Sequence, residues 1–198
     1  MEPNVFNQIA NQYDTEDRIQ LARRILETLY PTLSLGQKKT LLDFGCGTGL
    51  LGIPLTAHYN EVIFVDDSSV MLEVLQSKIK TNGILNAKTM AVSDLSGSKV
   101  LPVDEILLSL VLLHIPDTEK ILRFLYGLLK PGGKLFLVDF DKNERVSHPK
   151  VHNGFNQKNL QELMIKIGFR NVSSSTVLEE KKVFMNEDAS FFLLVAEK

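Results

Sequence analysis

Thr40-Leu41-Leu42-Asp43-Phe44-Gly45-Cys46-Gly47-Thr48-Gly49-Leu50 decides how the rest of the chain is read. Apolar residues run up to Asp43 and Phe44, and glycines then fall at alternate positions. A helical pattern takes over through Leu50, Leu51, Ile53 and Leu55, which predicts a helix from about Thr48 to His58. Strand, tight turn and helix in that order make the first unit of a doubly wound α/β sheet. Glycine has no Cβ, so the backbone can bend sharply and approach a ligand closely. The ligand is then expected over the amides at the start of the helix.

Outward from this stretch, the same alternation continues. Thr40–Phe44, Glu61–Val65, Ala87–Val92, Val103–Leu110 and Lys134–Asp139 are predicted strands. Phe169–Glu179 and Ser190–Glu197 add two more strand-like runs. Between them, Ser68 or Ser69 caps a helix with Met71, Leu72, Leu75 and Ile79 inward, ended by Asn82-Gly83. Asp117 caps another, with Ile121, Leu122, Leu125, Leu128 and Leu129 on one side, and Asn156 caps a third that Gly168 stops. Lys130-Pro131-Gly132-Gly133 reads as a turn, and Phe140–Gly154 as the longest loop. At the N-terminus Phe6, Ile9, Ala10 and Tyr13 recur at helical spacing. Thr15 then caps a helix whose apolar face is Ile19, Ala22, Ile25, Leu26 and Leu29.

Composition bounds the function. A chain of 198 residues suits one domain, and no linker-like stretch divides it. Hydrophobic residues at 44% and charged residues at 23% are those of a globular protein with a full core. A net charge of −2 gives no global electrostatic case for nucleic acid as a partner. Cys46 is the only cysteine, so no internal disulfide forms, which fits a reducing, cytoplasmic setting. Met1-Glu2-Pro3-Asn4 does not open a signal peptide, and no apolar run approaches the ~20 residues that span a bilayer. No membrane association is expected.

The glycine spacing separates two families of cofactor. A nicotinamide-binding turn carries G-x-G-x-x-G. Here Gly45 and Gly47 match, but Leu50 stands at the third position and the glycine falls one residue early, at Gly49. The pattern Asp43-x-Gly45-x-Gly47-x-Gly49 resembles the first motif of the class I S-adenosylmethionine-dependent methyltransferases. Further matches follow in order. Val65-Asp66-Asp67-Ser68-Ser69-Val70-Met71-Leu72 is similar to the second motif, and the run from Asp104 to Asp117 to the fourth. Leu129-Lys130-Pro131-Gly132-Gly133 is similar to the turn before strand five, and Gly168-Phe169 to the end of the last helix.

That resemblance implies a Rossmann-like, seven-stranded, mostly parallel sheet with helices on both faces and an antiparallel last strand. It implies a single methyltransferase domain over residues 1–198, with residues 1–32 as a helical lid within it. Family members usually carry Asp after the lid's Phe, where this chain has Asn7. The cofactor implied is S-adenosylmethionine. Its candidate ligands are the turn residues Gly45, Cys46, Gly47 and Gly49, with Tyr13 of the lid above them. Asp66, 17 residues after Gly49 at the end of strand two, is placed to accept both ribose hydroxyls. Asp67 beside it faces the helix dipole. Asp94 is the candidate acceptor for the adenine amino group. Asp43 and the backbone carbonyl of Ser109 are candidates for the methionyl ammonium.

The acceptor side is less determined. His114 follows strand four and is the candidate general base; its competing role is packing. His148 and His152, in the long loop, are candidates to touch substrate. Asp139 and Asp141 lack the further ligands a metal needs, and none is expected. The chain lacks the Asn/Asp-Pro-Pro-aromatic run of adenine amino-methylating enzymes, a cysteine after strand four, and the glutamate pair of the protein-arginine type. The leading reading is methyl transfer to O, N or S of a small organic acceptor. The alternatives are a macromolecular acceptor and a S-adenosylmethionine-binding protein without catalysis. A nicotinamide oxidoreductase is disfavoured by Leu50.

Overall fold

The computed structural model describes residues 5–33, 36–95 and 102–198; residues 1–4 of the expected lid lie outside it. The chain forms two compact units, Met1–Leu101 and Pro102–Lys198. Among the described residues there are seven strands, and the architecture is the Rossmann-like α/β class expected.

The first unit opens with α1 (Val5–Ile9), a 3-10 turn over Ala10–Gln12, and α2 (Glu16–Leu29). The Thr15 hydroxyl accepts the Arg18 N–H and starts α2, and Ala22, Ile25, Leu26 and Leu29 are its buried stripe. Then come β1 (Gly36–Phe44), α3 (Gly52–Leu55), β2 (Tyr59–Asp66), α4 (Ser69–Thr81), β3 (Ala87–Ala91) and α5 (Val92–Leu95). The strands lie in the order β3-β2-β1, all parallel, with Asp43 opposite Phe64 and Asp66 opposite Ala91. Parallel pairing brings the carboxyl ends of these strands to one edge, and this is what gathers Asp43, Asp66 and the glycine turn.

The helix expected from Thr48 is a correction. It begins at Gly52, lasts four residues, and passes into a 3-10 turn over Thr56–His58. Gly45, Gly47 and Gly49 take φ of 73°, 53° and 81°, on the left-handed side, which no right-handed helix admits. Pro54 then removes an amide within the first turn. So short a helix has little dipole to offer a ligand. Ser68, and not Ser69, caps α4, accepting the Met71 N–H at 3.1 Å.

The second unit contains β4 (Val103–Ser109), a 3-10 turn over Leu112–His114, α6 (Thr118–Leu128), β5 (Leu129–Phe140), α7 (Gln157–Ile167), β6 (Arg170–Phe184) and β7 (Glu187–Glu197). β4 pairs parallel with β5, while β7 runs antiparallel to both β5 and β6. Ile106, Leu107, Leu108, Leu135, Phe136, Leu137 and Val138 are all fully buried. Such unbroken apolar runs belong to strands covered on both faces. β5 starts earlier than expected, because Lys130–Gly133 is a register irregularity against β4 and not a separate turn. β6 and β7 are longer than expected. Phe184 pairs with Glu187 across a two-residue loop, Met185-Asn186, with φ of 52° and 66°. That is the primed turn a tight hairpin favours. Among the described residues no helix is long and apolar enough to cross a membrane.

Candidate functional site

In the first unit the glycine turn is pinned to the end of β2. Val65 O accepts the amides of Gly45 at 2.7 Å and Cys46 at 3.1 Å. Asp66 completes the attachment: Oδ2 accepts the Gly47 N–H at 2.8 Å and Oδ1 accepts the Ser68 N–H at 2.8 Å. One carboxylate thus ties the turn after β1 to the start of α4. Burial raises the Asp66 carboxyl, and those amides pull it back down. Asp67 beside it is exposed.

Asp43 ends β1 with 3% of its surface open, and its Oδ2 is buried with no hydrogen-bond partner. Burial, and then the charge of Asp66, push its carboxyl up to about 7. Gly52 explains how the acid fits. A Cβ there would meet Asp43 Oδ2 and Phe64 Cε1, both at 2.4 Å. The Cys46 thiol is buried and pushed well above its usual range, so it lines the turn without being reactive. Asp94 lies exposed in α5.

Tyr13 lies over the turn: its ring would be 4.0 Å from a Cβ on Gly47. Burial is the main reason its phenol is raised. Arg18 holds it, stacking 4.2 Å from the ring centroid and donating from Nη1 to Tyr13 O at 2.9 Å. The N-terminal segment is fastened at two further points. Ser68 Oγ donates to Asn7 Oδ1 at 2.6 Å. Asp14 accepts from the Thr48 hydroxyl and pairs with Lys78, whose Nζ also donates to Thr48 O at 2.8 Å. Lys78 and Gly52 were not singled out from the sequence, and the contacts that Asn7, Asp14 and Thr48 make were not foreseen there. Only Gly52, a fourth small residue in the turn region, left a readable signal there.

The second unit carries the other candidates. Ser109 ends β4 with its Oγ buried and unpartnered. Leu110 then takes φ of 57°, a left-handed conformation that a bulky residue adopts at a cost of about 1–3 kcal/mol. His114 stands exposed on the 3-10 turn. Partial desolvation, and then the charge of His148, hold its imidazole below the usual range. His148 is exposed, and its Nδ1 accepts the Lys150 N–H at 3.1 Å. The His152 ring is committed to the protein: Nε2 bonds Ile115 O at 2.9 Å and the ring packs 5.2 Å from Phe155. Asp139 and Asp141 are likewise engaged. Asp139 accepts backbone amides, and Asp141 bonds Gln157 and Thr176.

The glycine turn is thus held to the end of β2, with the buried acids Asp43 and Asp66 at the adjoining strand ends and the Tyr13 ring close to Gly47. A family model described as a methyltransferase domain matches residues 42–135. The ubiquinone biosynthesis O-methyltransferase of Chromobacterium violaceum is 27% identical, over 74% of this chain and 65% of its own length. The ubiquinone/menaquinone biosynthesis C-methyltransferase of Pseudoalteromonas translucida is 29% identical, over 91% and 74%. The tRNA 5-carboxymethoxyuridine methyltransferase of Escherichia coli K12 is 29% identical, over 60% and 47%. A solved S-adenosylmethionine-dependent methyltransferase from Aquifex aeolicus has the same fold, with TM-score 0.70 at 20% identity over 96% and 97% of the two chains. These likenesses set the chain beside the S-adenosylmethionine-dependent methyltransferases in sequence and in fold. It spans between 43% and 65% of the length of the first curated relatives it matches.

Proposed function

We propose that this chain transfers a methyl group from S-adenosylmethionine to an O, N or S atom of a small organic acceptor. The observation that carries the cofactor half is the pair of acids at the glycine turn. Asp43 and Asp66 are both raised, Asp43 to about 7, because their charges lie buried. A cofactor bearing an ammonium and a sulfonium supplies the missing positive charge, so the residues present fit it. Asp66 holds the ribose hydroxyls, Asp43 answers the ammonium, and Tyr13 covers the turn. Gly45, Cys46, Gly47 and Gly49 line it, Asp67 flanks it, and Asp94 takes the adenine amino group. When bound, the cofactor supplies an electrophilic methyl on a good leaving thioether.

The chain's own residues then need only align the acceptor and remove a proton. His114 is suited to the second task. An imidazole held below its usual range is neutral near pH 7, the form that can take up the acceptor's proton. His148, exposed and close enough to lower His114 through its charge, is the proposed contact to the acceptor. The absence of a global positive charge favours a small acceptor over nucleic acid.

One observation favours a second reading. A tRNA-modifying methyltransferase is among the relatives, so a macromolecular acceptor is the competing proposal. Production of S-adenosylhomocysteine should be measured against a library of phenols, amines and thiols, and in parallel against bulk tRNA. Turnover with a small acceptor and none with tRNA supports the first reading. Turnover with tRNA alone overturns it.

A further inference from the structure

The 3-10 turn that carries His114 is held by Asp139 on one side and by His152 on the other. We propose that Asp139 and His152 are positioning residues that clamp this turn and fix the direction of the His114 imidazole. The inference rests on His114 being the base of the proposed reaction.

The backbone of the turn is tied at nearly every polar group. Leu110 N–H goes to Val138 O at 2.9 Å. Within the turn, His114 N–H goes to Val111 O at 3.0 Å and Ile115 N–H to Leu112 O at 3.0 Å. Two amides point outward, and Asp139 collects them. Its Oδ2 accepts the Leu113 N–H at 3.2 Å, and its carboxylate also interacts with the Leu112 N–H. Its Oδ1 accepts the Phe140 N–H at 2.8 Å, which fixes the carboxylate itself. The carbonyls on the far side go to His152. Its N–H donates to Leu113 O at 2.9 Å and its ring bonds Ile115 O at 2.9 Å, which makes Nε2 the protonated nitrogen. His152 is held in turn by Phe155, whose N–H donates to Phe140 O at 2.9 Å.

Asp139 is 0% exposed; burial pushes its carboxyl up to about 7, and the amides of Phe140, Leu113 and Leu112 pull it back down. A buried acid in this state is a poor choice for stability alone, since an apolar side chain would fill the same place without desolvating a charge. Its distinctive property is that a carboxylate can accept several amides at once from one fixed point. The strained Leu110 just upstream tells the same way: the turn is over-determined by its surroundings.

The test follows the His114 ring by NMR across pH, and amide exchange at residues 112–115, in Asp139→Asn, His152→Phe and His152→Gln proteins. Asparagine sets an NH2 against one of the amides that Asp139 accepts. Phenylalanine keeps the packing on Phe155 and loses the bond to Ile115 O, while glutamine retains a donor. Exchange at Leu112 and Leu113 should rise roughly tenfold in Asp139→Asn, the effect of one lost hydrogen bond. The His114 midpoint should climb toward the ordinary ~6.5 in Asp139→Asn and His152→Phe, and return in His152→Gln. If Asp139→Asn does not fold, His152→Phe decides alone. A fall in melting temperature with the His114 titration unmoved overturns the proposal and leaves both residues as packing. Titration of S-adenosylhomocysteine into the same proteins tests the proposed function separately, because its failure to bind would indict the cofactor site and not the clamp.

Discussion

Replacing Asp66 with alanine should weaken S-adenosylmethionine binding by roughly 10- to 150-fold, the equivalent of the ~1.5–3 kcal/mol a charge-assisted hydrogen bond contributes. The structure moves the expectation toward the upper end. Asp66 already accepts the amides of Gly47 and Ser68, both at 2.8 Å, so its loss also frees the glycine turn from the start of α4. Asparagine looks mild from the sequence, since it keeps one acceptor oxygen. In place, its NH2 must face either the Gly47 or the Ser68 amide, donor against donor. Asp66→Asn should therefore fall near the alanine variant. Asp67→Ala should leave affinity little changed, because that side chain is exposed. Isothermal titration of the three variants, each checked for folding by its melting transition, gives the ranking. A folded Asp66→Ala protein with near-wild-type affinity, or an Asp67→Ala protein crippled in its place, would refute the reasoning.

Other perturbations probe single features. Gly52→Ala places a methyl 2.4 Å from both Asp43 Oδ2 and the Phe64 ring, so it should destabilise by about 1–3 kcal/mol in denaturant titration; an unchanged midpoint counts against the close approach. Asp43 binds a proton in the folded chain up to about pH 7 but only to about 3.8 unfolded, so its contribution to stability is full below pH 3.8 and is lost as pH rises through 7. The stability of Asp43→Asn relative to wild type should therefore rise across that window, by about 4 kcal/mol at most, and a flat difference between pH 4 and 8 would exclude a raised carboxyl. Lys78→Met removes the partner of Asp14, and hydrogen exchange over residues 5–14 should quicken in the free protein and slow again with S-adenosylhomocysteine. Once an acceptor is known, His114→Ala should lower turnover by roughly 10²–10⁴-fold with cofactor affinity kept; a loss of melting temperature alone would make it structural.

The parts legible in the sequence are those that depend on periodicity or on one residue's backbone preference. Apolar runs gave the strands, and Thr15, Ser68, Asp117 and Asn156 stand as caps because a short oxygen at the first turn has few other uses. The misplaced start of α3 has the opposite cause. Leu50, Leu51, Ile53 and Leu55 keep helical spacing whether or not the chain is helical, and the pattern does not register that three glycines hold φ positive ahead of them. The Met185-Asn186 hairpin was hidden because its first residue is not one that usually takes a left-handed φ.

The candidate site divides along the same line. Asp66 and Asp43 could be found because strand ends are countable, and what binds at such ends follows from topology. His152 could not be read correctly. A histidine in a polar loop offers the same letters whether its ring faces a substrate or, as here, the carbonyl of Ile115. Asp14 and Lys78 are 64 positions apart, and nothing periodic links them; the packing of the N-terminal segment on α4 makes them a pair. The strongest chemical inferences in this chain therefore rest on contacts of long sequence separation. The buried acid at position 139 shows why. From the sequence it was only an acid set aside as a metal ligand, and it is the amides of Leu112 and Leu113 beside it that make it an anchor for the turn that carries His114.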